Sequence, residues 1–96
     1  MEKELQKSTS KGTSMPTLLR EKGFTFFFYA NEHEPEHIHI MKGDEYAKIE
    51  LIHLRVVKNT FKKKELSNAL KIVNQNVENF KRKWNEYFNS GKISKL

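Results

Sequence analysis

Three of the four histidines fall within seven residues, in the string His33-Glu34-Pro35-Glu36-His37-Ile38-His39. On a strand, His37 and His39 share one face about 7 Å apart. That is close enough for both to act on one ligand and too far for them to bond each other. His33 can fold back toward them across a turn at Pro35. Glu32, Glu34, Glu36 and Glu50 supply carboxylates nearby. Carboxylates beside imidazoles select tautomers and raise histidine pKa values. Imidazoles poised near neutrality suit general acid–base work or contact with a phosphate. Arg20 precedes the strand that leads into the histidine loop, so its guanidinium suits a phosphate or carboxylate there. The candidate catalytic group is therefore His37, His39, His33 and Arg20.

Other chemistries compete for the same residues. Two histidines on a strand face plus a third from a loop would make three metal ligands. The His-x-His pair followed by Asp44 superficially matches a cupin metal pattern, but a cupin needs a double-sheet jelly roll and this chain is too short for one. The histidines would also serve a purely structural network of imidazoles and carboxylates. No metal and no cofactor is assigned from the residues alone. Cysteine is absent, which removes disulfides, thiolate zinc sites and cysteine nucleophiles and fits a reducing interior. A cytoplasmic protein is expected, with no secretory signal and no membrane partner, since no run of 18 apolar residues occurs.

The net charge of +6 is unevenly spread: residues 15–52 carry four basic and seven acidic groups, residues 53–96 eleven and three. A basic half steers toward nucleic acid or toward an acidic protein. Among its eleven cations, Lys62, Lys63, Lys64, Lys71, Lys81, Arg82 and Lys83 are the candidate nucleic-acid contacts. Phosphate contact needs positive charge but no special spacing, and a solvated helix surface accounts for such runs equally well. No zinc finger, P-loop or RNA-recognition-motif signature is present.

The elements that must position these groups follow from periodicity. Ninety-six residues allow one domain. Residues 1–14 lack periodicity and read as a flexible leader, 15–90 as a single domain, 91–96 as a tail. Phe24-Thr25-Phe26-Phe27-Phe28-Tyr29 predicts a strand covered on both faces, with Gly23 marking the turn before it. His37–Lys42 and Glu45–Leu51 predict a hairpin closed by a primed turn at Gly43-Asp44. Its register pairs Lys42 with Glu45, Ile40 with Ala47, Ile38 with Ile49, His39 with Lys48 and His37 with Glu50. That puts isoleucines on the core side and histidines on the other, at the sheet edge or on its open face. Val56-Val57 suggests a short fourth strand. Leu66, Leu70, Val73, Val77, Phe80, Trp84 and Tyr87 recur at spacings of 4 and 3. They predict one apolar stripe on a helix from about Lys63 to Asn89, ended by Ser90-Gly91 and lacking a good N-cap at Lys62. Phe61 is placed to staple onto Leu66. The expected fold is α+β: a small antiparallel sheet of three or four strands against one long C-terminal helix. A self-associating coiled coil along the stripe is the alternative, so a homo-oligomer is possible.

The run Met15 to Leu51, with its MPT start, Arg20, the Phe-Phe-Phe-Tyr strand, the Asn31-to-His39 segment, Gly43 and Ala47-Lys48, resembles a bacterial family of small proteins, domain of unknown function 4160. The likeness continues through Phe61, Glu65-Leu66, Trp84 and Phe88, about residues 15–88. Two positions depart from it: Lys62 stands where a small polar cap is usual, and Glu36 where a second proline is. The resemblance implies a partner from a second small family, numbered 2442, and a place in a toxin–antitoxin module. The expected function is thus a toxin-like component acting on or binding RNA, with a small antitoxin-like protein partner. If it cleaves RNA, His37 and His39 would be the acid–base pair of a metal-independent ribonuclease, since the 2′-hydroxyl is the nucleophile. A non-catalytic nucleic-acid or protein-binding regulatory module and a small histidine metal-binding protein are the rivals.

Overall fold

A two-residue turn at Lys22-Gly23, both with positive φ (52° and 87°), folds the start of the domain back on itself. It joins β1 (Thr17–Glu21) to β2 (Phe24–Phe27) in an antiparallel pair. Glycine suits the second position because a left-handed φ carries no Cβ penalty there. The computed structural model describes residues 17–29 and 32–89; the leader, the tail and the Ser90-Gly91 stop lie outside the described residues.

The chain continues into β3 (His37–Lys42), β4 (Glu45–Glu50) and β5 (Arg55–Asn59), a five-stranded antiparallel meander in sequence order. The sheet is therefore wider than the three or four strands expected. The added strand is β1, whose adjacent Leu18 and Leu19 do not alternate because a bulge interrupts the pairing between Thr17 and Leu19. The β3–β4 register is the expected one at every position, from His37 opposite Glu50 to Lys42 opposite Glu45. Gly43 takes a positive φ of 63° in the turn that sets it.

Helix α1 (Lys63–Trp84) follows a short connection. No side chain caps it at Lys62, in keeping with the expectation. Asn59 organises the approach instead, its amide donating to the Phe61 carbonyl and its Oδ1 accepting from the Phe61 N–H. Phe61 is buried, with its ring edge on Phe24 at 5.6 Å between centroids.

The helix lies on the sheet face made by Phe24, Phe26, Phe28, Ile38, Ile40, Ala47 and Ile49, and buries Ala69, Ile72, Val73, Phe80 and Trp84 against it. Leu66, Leu70 and Val77 border this core and are partly buried. Phe80 stacks on Phe26, and Trp84 meets Phe28 edge-on. The expected stripe fails at its last member: Tyr87 is 53% exposed and Phe88 takes the inward place. The reason is a π-helical turn at Asn85–Asn89. A π turn closes i to i+5, so it needs more residues to return to the same face. No helix among the described residues is long and apolar enough to cross a membrane.

Candidate functional site

Alternation along β3 sends Ile38 and Ile40 into the helix-covered core and His37 and His39 to the other face. That face is not open at the histidines, and β3 is the central strand, not an edge. Correcting the expected exposure, His37 is only 5% and His39 3% exposed. Aromatic side chains close over them. Phe27, the β2 partner of His39, stacks on its ring at 5.4 Å, and Tyr29 and Tyr46 flank it. Trp84, from the end of the helix, lies 5.1 Å from the His37 ring.

The loop after β2 contributes Glu32, whose carboxylate bridges the two imidazoles. His37 Nε2 lies 2.8 Å from Oε1, and His39 Nε2 lies 2.7 Å from Oε2. Oε2 also accepts from the Tyr29 backbone N–H at 2.8 Å. Outside this bridge, His37 Nδ1 donates to the Pro35 carbonyl at 2.8 Å, and His39 Nδ1 lies 2.7 Å from the Tyr46 hydroxyl. The Glu34–Pro35 peptide is cis. Glu32, His37 and His39 thus bring three potential ligand atoms within 4.8 Å of one another.

The hydrogen bonds of His37 fix where its protons lie. A carbonyl only accepts, so His37 Nδ1 carries a proton. Its Nε2 then needs a second proton to bond the Glu32 carboxylate. The His37–Glu32 pair is an imidazolium against a carboxylate, or shares one proton between them. Burial alone would raise the Glu32 carboxyl, but the Tyr29 N–H, the His37 bond and the two imidazole charges outweigh it and hold its pKa below the usual value. His39 moves against expectation. Burial lowers its pKa more than the Glu32 carboxylate raises it, with further lowering from His37 and Lys48. A neutral His39 donates from Nε2 to Glu32 and accepts the Tyr46 O–H at Nδ1. Burial also pushes the Tyr46 phenol up, helped by Tyr29 and Glu32.

A family model described as a domain of unknown function, DUF4160, matches residues 23–85. The chain belongs to the DUF4160 family. No curated protein and no solved structure matches it. In this DUF4160 chain the match spans the Phe-rich strand, His37, His39 and the helix as far as Trp84, and stops short of Arg20 and Phe88 on either side.

The remaining expected site residues are placed apart. A pocket of about 500 Å³ opens beside the cluster and is lined by Glu32, His33, His37, Lys48, Glu50 and Arg55 among others. His33 is exposed on its wall and outside the bridged cluster, while His39 does not line it. Arg20 pairs with Thr25, which pairs with Met41. It therefore shares the histidine face but sits two strands, about 10 Å, away from β3. Glu50 does not serve the cluster. Its Oε2 accepts from the Ile52 and His53 N–H groups, and its Oε1 approaches His53 and Arg55 at 3.6 Å. The helix cations divide. Lys81, Arg82 and Lys83 lie at the end whose Trp84 touches His37, whereas Lys62, Lys63 and Lys64 lie a helix length away, about 28 Å at ~1.5 Å per residue. Lys71 is exposed between them. Arg82 bonds Asn79, and Lys83 pairs with Glu86.

Sequence reasoning named Glu32 only as one carboxylate among four and missed Tyr46, Lys48 and Arg55 as site residues. For Tyr46 a signal existed. In the hairpin register it lies diagonal to His39 on the same face, within reach of an aromatic side chain. Nothing local marked Glu32 over Glu34 or Glu36, since only the path of the loop decides which one reaches both imidazoles.

Proposed function

We propose that this protein is the toxin-like component of a bacterial toxin–antitoxin pair and acts on RNA, with His37 as its acid–base group. The observation that supports this reading is the pocket. It borders His37, which holds a proton against Glu32, and it carries the cations Lys48 and Arg55 on its wall. A phosphodiester held by those two cations, among the carboxylates of Glu32, Glu34 and Glu50 on the same wall, meets a proton-transfer group already in place. Cleavage through the RNA 2′-hydroxyl needs one proton removed from that hydroxyl, one delivered to the leaving 5′-oxygen, and stabilisation of the charge between. His37 supplies one transfer and His33, in the same pocket, the other. His39 and Tyr46 act through Glu32, setting the proton on His37. Lys81, Arg82 and Lys83 hold the strand as it leaves the pocket. An acidic antitoxin-like protein would neutralise the basic half by covering it, as the family resemblance suggests.

The test is one RNA pool measured for binding and for cleavage with chelator present. His37→Ala should abolish cleavage and leave binding nearly intact, because the lost group moves protons and does not supply affinity. Growth arrest on expression should disappear with the same variant. A second reading, a non-catalytic binding module, is favoured by the near-complete burial of both histidines and the bonding of all four of their ring nitrogens. Binding without any cleavage by the wild type would select it.

A further inference from the structure

The His37–Glu32 contact is made by a proton, and a metal ion can take that proton's place. His37 Nδ1 is committed as a donor, since Pro35 O at 2.8 Å can only accept. In a neutral ring, Nε2 is then a lone pair, and it points at a carboxylate oxygen 2.8 Å away. Tyr46 Oη can accept as readily as donate, so His39 has the same option: Nδ1–H on the hydroxyl and an Nε2 lone pair toward Glu32. Two nitrogen lone pairs then face the two oxygens of one carboxylate, with the ligand atoms of the three residues within 4.8 Å of one another.

We propose that Glu32, His37 and His39 form a binding site for one divalent transition-metal ion, held by the two Nε2 atoms and the Glu32 carboxylate. The donor set selects the class. Imidazole with carboxylate suits zinc, iron(II), cobalt(II) or nickel(II), whereas magnesium and calcium take oxygen alone. The outer shell is already built. Each ligating histidine has its other ring nitrogen fixed, one on a backbone carbonyl and one on a tyrosine hydroxyl, the arrangement that orients metal-bound imidazoles. The Tyr29 N–H anchors the carboxylate. Three protein ligands leave a position unfilled, and the pocket beside Glu32 and His37 gives water or an anionic ligand access to it.

This inference goes beyond the acid–base reading and does not depend on it. The metal and the bridging proton use the same lone pairs, so the metal-loaded protein would not carry out proton transfer at His37. Metal binding is read without RNA and cleavage is read with chelator, so either can fail alone.

The experiment uses the full chain, purified without an affinity tag and stripped with chelator. Zinc is titrated by calorimetry, and cobalt(II) is added separately to record its visible absorption. One zinc per chain is expected, with cobalt bands that zinc abolishes. His39→Ala and Glu32→Gln should each weaken zinc binding by about tenfold or more, and Tyr46→Phe by about tenfold through the lost outer-shell bond. His53→Ala should leave it unchanged. If the cluster variants do not fold, the wild type still decides by NMR: zinc should shift the ring resonances of His37 and His39. No saturable binding, shifts confined to His33 or His53, or affinity unchanged in His39→Ala and Glu32→Gln would overturn the site.

Discussion

Removing the Glu32 carboxylate tests the cluster most directly. Its two oxygens accept from the Tyr29 N–H, His37 Nε2 and His39 Nε2 at 2.7–2.8 Å, and the side chain is 8% exposed. Glu32→Ala strands these donors and leaves the His37 charge unpaired. Breaking one side of a buried ion pair costs about 3–5 kcal/mol. Domains of this size hold only about 5–15 kcal/mol in total, so a large share of the stability should go. Glu32→Gln keeps one acceptor oxygen and should cost less, about 1–3 kcal/mol for the partner left unsatisfied. The assay is urea unfolding with chelator present, followed by the fluorescence of Trp84, the single tryptophan, whose ring lies 5.1 Å from His37. The pH dependence carries a sign. The folded-state pKa of Glu32 is lowered, so its contribution is present above the unfolded carboxyl pKa and is lost as pH falls through the folded one. His39, also lowered, adds the same sign at higher pH. Its contribution is present above the unfolded histidine pKa of about 6.5 and is lost as pH falls below it. The Glu32→Gln variant removes the Glu32 contribution, so its gap from wild type should narrow as pH falls through the carboxylate range. A Glu32→Ala cost under about 1 kcal/mol, or a gap independent of pH, would refute the account of a buried charged bridge.

Trp84, fully buried between Phe28, Phe88 and His37, should cost about 3–5 kcal/mol on truncation to alanine, whereas the exposed Tyr87 should cost less than about 1 kcal/mol; paired denaturation curves check the π-turn assignment. Glu50→Gln should destabilise by about 1–3 kcal/mol at neutral pH by weakening the acceptor for the turn after β4. Burial raises the Glu50 carboxyl, but the His53 and Ile52 N–H bonds and the nearby cations outweigh it, so that loss should shrink as pH falls in a thermal-melt series. Substituting Lys81, Arg82 and Lys83 with Gln should flatten the salt dependence of RNA binding by about 0.7 for each phosphate no longer neutralised. The same change at Lys62, Lys63 and Lys64 should affect binding less for short RNA that fills the histidine pocket.

The hairpin was legible because each of its determinants is local. Gly43-Asp44 sets the turn, the side-chain period of two sets the faces, and complementary pairs exclude a slip by one residue. The helix was legible from its stripe up to Trp84 for the same reason: periodicity is a property of consecutive residues. The first strand was not, since its bulge breaks the alternation by which a half-buried strand is recognised. The outward turn of Tyr87 was not, since the α period does not announce where it changes to a π turn.

The sequence by itself determined that His37 and His39 lie on one face of one strand, opposite Ile38 and Ile40, with carboxylates nearby and a basic helix following. Only the tertiary structure decided that this face is closed by Phe27, Tyr29 and Tyr46, that Glu32 bridges the pair while Glu50 caps a turn, and that Lys62–Lys64 lie far from the histidines. The division has one physical cause. The direction of a side chain follows from local backbone geometry, but its solvation and its charge partners depend on which distant segments come to rest against it. Burial therefore set the sign of the His39 shift against the carboxylate that the sequence placed beside it.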